Sequence, residues 1–231
     1  MRLYAVFMVC IGIGVLCMGA SAHAEDRNEG VLLVAFGTSE EAALPSYTAI
    51  HAAFGKAFAE KPIVWAYTSS FIRKKLTKQG KPVFSIFQAL DELHKQGVKQ
   101  VTAQSLHVAA GEEYTYMERA LQAYALRNPG RFSSITVGRP LLESSNDLED
   151  ALNAVLTTFP KERYADEAIV FMGHGHEHGR GDLVLQALAN GVNKRDPLAF
   201  FATVEGALTF DDVLETLTSK KVKRVWLQPF M

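Results

Sequence analysis

The chain has 231 residues, 48% of them hydrophobic, and its 24 Lys and Arg nearly balance its 25 Asp and Glu. A net charge of −1 lacks the basic excess of a nucleic-acid binder. Two cysteines, Cys10 and Cys17, are too few for a disulfide scaffold of the secreted kind.

In chain order, the first feature is a leader. Arg2 precedes an apolar core from Ala5 to Met18, and Ala22-His23-Ala24 precedes Glu25. This is a positive start, an apolar region and an A-x-A cleavage site. The apolar run is shorter than the roughly 20 residues that span a bilayer. The reading is therefore a cleavable signal peptide over 1–24, a periplasmic location and no stable membrane anchor. Cys17 follows Leu16 rather than a small residue, which makes a poor lipidation site. Both cysteines leave with the leader, so thiolate catalysis and thiolate metal ligation are excluded from the mature chain. Its stability has to come from an apolar core.

Apolar runs that read as buried strands then alternate with helical patterns. Val31–Phe36 comes first and leads into Gly37-Thr38-Ser39. Ile50, Ala53, Phe54, Ala57 and Phe58 follow at helical spacing, and Ile63–Tyr67 is the second strand. A basic run, Arg73, Lys74, Lys75, Lys78 and Lys81, comes next; it either receives acidic groups of a substrate or solvates a helix face. Ile86, Ala89, Leu90 and Leu93 mark a second helix that Gly97 ends. The third strand, Val101–Val108, carries His107 near its end and leads to Gly111-Glu112-Glu113-Tyr114. Acids opening a helix suit its dipole, so Glu112 and Glu113 have a structural reading beside a functional one. A helix over Tyr114–Arg127 and a strand at Ile135–Val137 complete this half.

The second half opens on Ala168–Met172 and runs into Gly173-His174-Gly175-His176-Glu177-His178-Gly179. Three imidazoles and a carboxylate at the end of a buried strand can bind a divalent metal or move protons; the alternative is a solvated, His-rich turn. Phe200–Val204 ends in Glu205-Gly206, and Val222–Leu227 is the last strand. Strand and helix in repetition predict an α/β fold with parallel sheets. The strands repeat as two halves, 25–143 and 144–231. By that symmetry a helix and a strand, about 35 residues with their connections, are missing after the last strand. The expectation is a C-terminally incomplete second half. Strand ends of parallel sheets gather on one edge, where such folds bind ligands. His174, Glu205, Glu113 and His107 are expected there, and imidazole with carboxylate suits Co²⁺, Fe²⁺, Ni²⁺ or Zn²⁺.

Five strings carry a specific resemblance: Val34-Ala35-Phe36-Gly37-Thr38-Ser39, Gln104-Ser105-Leu106-His107, Gly111-Glu112-Glu113-Tyr114, Phe171-Met172-Gly173-His174-Gly175 and Thr203-Val204-Glu205. In this order they resemble the class II tetrapyrrole chelatases, nearest the sirohydrochlorin cobaltochelatases of anaerobic cobalamin synthesis, in an exported form. The resemblance implies two flavodoxin-like halves with the active site in the cleft between them. It implies Co²⁺ as substrate metal, with Fe²⁺ or Ni²⁺ as alternatives, and sirohydrochlorin or a related tetrapyrrole as partner. The family's metal ligands fall on His174 and Glu205, and its first-half glutamate on Glu113. His174 and Glu113 would handle protons, and His107, Glu112 and Tyr114 would face the substrate. A further family histidine, in a Gly-Asp-His string, would lie past Met231. An exported protein that binds haem, another tetrapyrrole or metal without turnover is the rival reading. Self-association is left open by the sequence. A flavodoxin-like electron carrier is disfavoured, because Gly37-Thr38-Ser39 lacks a longer phosphate cradle.

Overall fold

The computed structural model describes residues 28–175 and 180–230. The proposed leader, and His176, Glu177 and His178, lie outside the described residues. Two compact units divide the chain. Within the described residues one unit comprises 28–107 and Glu113–Pro140, the other Val108–Glu112 and 141–230. The short segment Val108–Glu112 is drawn into the second unit by a parallel bridge between Ala109 and Leu142, with Leu142 N–H donating to the Val108 carbonyl at 2.8 Å.

The first unit holds a four-stranded parallel sheet in the order β2-β1-β3-β4. Its strands are β1 (Glu29–Ala35), β2 (Ile63–Tyr67), β3 (Gln100–Ser105) and β4 (Ser134–Val137). β1 is paired on both sides, and Val31 to Ala35 are all buried, which is why its sequence is apolar without alternation. Helix α1 covers Leu44–Ala57, α2 Ser70–Lys78, α3 Ile86–Lys95 and α4 Glu112–Arg127. α3 starts at a capping box in which Ser85 and Gln88 satisfy each other's backbone N–H groups. It buries Ile86, Ala89, Leu90 and Leu93, the face its spacing predicts.

α1 forms where the helical spacing predicts it, and it has no buried residue. Phe54 instead stacks on Phe58, with ring centroids 5.8 Å apart. Tyr47 links it to the sheet, with its ring 5.3 Å from that of Trp65 and 5.8 Å from that of Tyr67, and His51 accepts from the Trp65 indole at 3.1 Å. Periodicity fixed the helix, but too few sheet side chains meet it to bury a face.

The second unit repeats the pattern with three parallel strands ordered β6-β5-β7. They are β5 (Ala168–Gly175), β6 (Ala199–Glu205) and β7 (Val225–Pro229), so β5 occupies the place that β1 has in the first sheet. Helices α5 (Ser145–Thr157), α6 (Arg180–Arg195) and α7 (Phe210–Ser219) complete it. Its core joins Ile169, Phe171 and Phe201 to Leu152, Val155, Leu188 and Val192. At the other edge of this sheet, buried Glu167 accepts from the Trp226 indole at 2.7 Å, from the Tyr164 backbone N–H at 3.2 Å and from Arg224 at 3.2 Å. These donors, the indole first, hold its carboxyl below the usual carboxylate range.

Three strand boundaries correct the sequence reading. β3 stops at Ser105, so His107 lies past the strand. β7 begins at Val225 rather than Val222, because Val222 N–H closes the end of α7 on the Leu217 carbonyl. β5 runs three residues beyond Met172, which puts Gly173, His174 and Gly175 on the strand instead of in a turn. Pairing with β6 extends it, with Gly173 opposite Thr203 and Gly175 opposite Glu205.

Candidate metal and substrate site

The extension of β5 decides the geometry of the site. Gly175 has a φ of +82°, and a Cβ there would collide with the Glu205 carbonyl and come within 2.7 Å of Thr203 Cβ. Only glycine tolerates both the angle and the approach. β6 therefore closes on β5 at its last residue. Gly206, with a φ of +93°, turns the chain away immediately after Glu205. The turn is held by Thr203, whose backbone N–H and Oγ1 both donate to the Leu208 carbonyl, at 2.7 and 3.1 Å. Ala207 N–H also donates to Asp182 Oδ1 at 3.4 Å, and Gln186 steadies that carboxylate at 2.8 Å.

The result is a pair at the C-terminal edge of the second sheet. His174 Nε2 lies 3.7 Å from Glu205 Oε2. Both side chains are open to solvent, at 71% and 45% exposure, so an incoming ion reaches them. Two donors about 2.1 Å from one metal are about 3.4 Å apart at the tetrahedral angle. The pair is a few tenths of an ångström from that separation. Among the described residues no third His, Cys, Asp or Glu joins it to complete a metal cluster.

The remaining sequence-predicted residues cluster around the start of α4. His107 sits two residues past β3. Its Nδ1 is 2.9 Å from Ser105 Oγ, which also accepts the His107 backbone N–H at 3.2 Å. Nε2 is buried and has no hydrogen-bond partner among the described residues. Burial lowers the pKa of this imidazole to about 4, so it is neutral at physiological pH. Glu112 is exposed and Glu113 half-buried in the first turn of α4. Tyr114 is buried at 9% exposure, and its hydroxyl donates to the Gly138 carbonyl at 3.5 Å.

The basic run is largely occupied. Arg73 donates to the Tyr67 and Thr68 carbonyls at 2.5 and 2.7 Å, which ties α2 to the end of β2. Lys75 and Lys81 each lie 3.5 Å from a carboxylate, of Glu40 and Glu41. Sequence reasoning quoted Thr203 within the Thr203-Val204-Glu205 string but gave it no role, and did not single out Asp182. Thr203 lies two residues before the end of β6 and Asp182 in the first turn of α6, and nothing local at either position reveals its tie to the Glu205 turn.

A family model described as cobalt chelatase (CbiK) matches residues 29–231. The sirohydrochlorin cobaltochelatase CbiKC of Nitratidesulfovibrio vulgaris is 34% identical over 209 residues, 90% of this chain and 73% of that protein. The sirohydrochlorin cobaltochelatase of Salmonella typhimurium is 31% identical over 205 residues, 88% of this chain and 75% of that protein. Among solved structures, SirB from Bacillus subtilis with Fe³⁺ superposes with a TM-score of 0.60 at 16% identity, covering 88% of this chain and 77% of that one. The sirohydrochlorin chelatase SirB of Bacillus subtilis subspecies spizizenii, in complex with cobalt, superposes with a TM-score of 0.53 at 14% identity, covering 87% of each chain. These two superpositions bear on the fold alone. With the family model spanning nearly all of the described chain and two relatives above 30% identity, the chain belongs to the cobalt chelatase (CbiK) family.

Proposed function

We propose that this protein is a sirohydrochlorin cobaltochelatase: it exchanges the two inner pyrrole protons of sirohydrochlorin for Co²⁺. The observation that carries the reading is the His174–Glu205 pair, 3.7 Å apart and open to solvent at a strand edge. Neutral imidazole and carboxylate are borderline donors that hold Co²⁺ and release it. Fe²⁺ and Ni²⁺ suit the same pair.

Insertion needs two N–H protons to leave as two Co–N bonds form and the metal sheds its protein and water ligands. In this proposal His174 and Glu205 present the metal, and His174 and Glu113 accept the protons. His107, Glu112 and Tyr114 serve the substrate side. His107 contributes a neutral imidazole, Glu112 an exposed carboxylate, and Tyr114 its phenol. The leader motif over 1–24 supports synthesis as an exported, periplasmic protein.

The test is to mix the protein with sirohydrochlorin and Co²⁺ and follow the visible spectrum of the metallated product. His174→Ala and Glu205→Gln are expected to lower the insertion rate by at least about 100-fold while leaving the fold intact, because both side chains are exposed. Wild-type rates in both variants would overturn the assignment. A spectral change with tetrapyrrole alone, and none that depends on cobalt, would mark a binding protein instead. Competition among Co²⁺, Fe²⁺ and Ni²⁺ identifies the preferred metal.

A further inference from the structure

We infer that Thr203 is the positioning residue that sets the spacing of the His174–Glu205 pair. The inference rests on the reading that this pair holds Co²⁺. Thr203 is buried, at 6% exposure, and pairs with Gly173 across the sheet. Toward β5 its Cγ2 lies 3.5 Å from where a Cβ on Gly173 would be, and its Cβ 2.7 Å from where one on Gly175 would be. The side chain thus fills the space left by the two glycines that flank His174. Toward its own strand it binds the Leu208 carbonyl twice, through N–H and Oγ1. That carbonyl closes the turn in which Glu205 and Gly206 lie. One residue therefore bears on the backbone of the imidazole and on the turn of the carboxylate.

Of the two links, the hydroxyl bond to the turn is the one that sets where Glu205 sits. The backbone N–H bond survives any substitution, but the hydroxyl bond does not. A valine keeps the shape against the glycines and leaves the Leu208 carbonyl with one donor where it now has two. The turn can then drift, and Glu205 with it. A pair already a few tenths of an ångström from chelating distance is sensitive to such drift. Residues that orient metal ligands typically change affinity 10- to 100-fold when replaced.

The experiment uses the full chain and four variants: Thr203→Val, Thr203→Ser, Thr203→Ala and His174→Ala. Co²⁺ alone is titrated by calorimetry, and KM for Co²⁺, KM for sirohydrochlorin and kcat are measured by insertion. Thr203→Val is expected to raise the Co²⁺ Kd and KM about tenfold or more, with KM for sirohydrochlorin and the circular dichroism spectrum unchanged. Thr203→Ser, which restores the hydroxyl, is expected to stay within about twofold of wild type on the same scale. A Val variant that binds Co²⁺ like wild type, or a Ser variant as impaired as Val, overturns the inference. Should the Val variant not fold, Ala against Ser decides: equal Co²⁺ affinities overturn it. If His174→Ala loses Co²⁺ and Thr203→Val does not, the positioning role alone fails. If His174→Ala binds Co²⁺ like wild type, the metal-pair reading fails and this inference falls with it.

Discussion

Two single residues carry the largest testable consequences outside the metal pair. His107 is held neutral by burial, with its pKa lowered from 6.5 to about 4. Above pH 6.5 the imidazole is neutral in both the folded and the unfolded chain and costs nothing. Between 6.5 and 4 only the unfolded chain takes up the proton, so stability falls as the pH falls and levels off below 4. The expected loss is about 2 kcal/mol between pH 7 and pH 5. His107→Asn, which cannot titrate, should flatten that dependence in denaturant melts at the two pH values; an unchanged acid-side loss would assign it to other groups. Gly175 is the second residue. Its positive φ and its collision with the Glu205 carbonyl leave no room for a methyl group. Gly175→Ala should cost about 1–3 kcal/mol in thermal or denaturant unfolding and impair insertion by parting β5 from β6. A variant with native stability and rate would show that the strand ends tolerate separation.

At the scale of elements, caps and buried faces have different costs. α5 begins at a capping box in which Ser144 Oγ accepts from Asp147 N–H and Asp147 accepts from Ser144 N–H. Ser144→Ala should cost about 1 kcal/mol without altering insertion. α3 presents Leu90 and Leu93, both fully buried, to the first sheet. Leu93→Ala should cost about 2–5 kcal/mol, read as a lower denaturant midpoint. α1 behaves oppositely. Since it buries no residue, Ala53→Glu on its exposed surface should change stability by no more than about 0.5 kcal/mol. A large loss there would mean that α1 is covered in solution.

At the scale of the whole molecule, the chain is built from two sheets with one plan. β2-β1-β3 in the first unit corresponds to β6-β5-β7 in the second, and in each the first strand is paired on both sides. Each unit keeps its own apolar core, around β1 and α3 in one and around β5 and α6 in the other. The proposed export is tested on the whole chain. Expressed with its leader in a bacterium with two membranes, the protein should be recovered from the periplasm. Its intact mass should correspond to a chain that begins at Glu25. Recovery of the uncleaved chain from the cytoplasm would refute that reading.

The sequence alone determined the strand-and-helix alternation, the duplicated plan and the residue types of the site. Uninterrupted apolar runs have few structural solutions other than buried parallel strands, and glycine-flanked histidine at a strand end is rare enough to notice. It also marked α3 fully, because a helix packed on a sheet has to show a stripe of apolar residues at its own period. The same spacing marked α1 as a helix but not how little of it is buried, since its contacts with the sheet run through Tyr47 and His51. Burial depends on what the rest of the chain brings near, and no local pattern contains that. Tertiary structure alone decided that β5 runs on to Gly175, that β6 closes on it there, and that Thr203 and Asp182 hold the turn after Glu205. The strand closure joins positions thirty residues apart in sequence, Gly175 and Glu205, and Asp182 reaches Ala207 across 25. Such contacts follow from strand pairing and close packing, which act through space rather than along the chain.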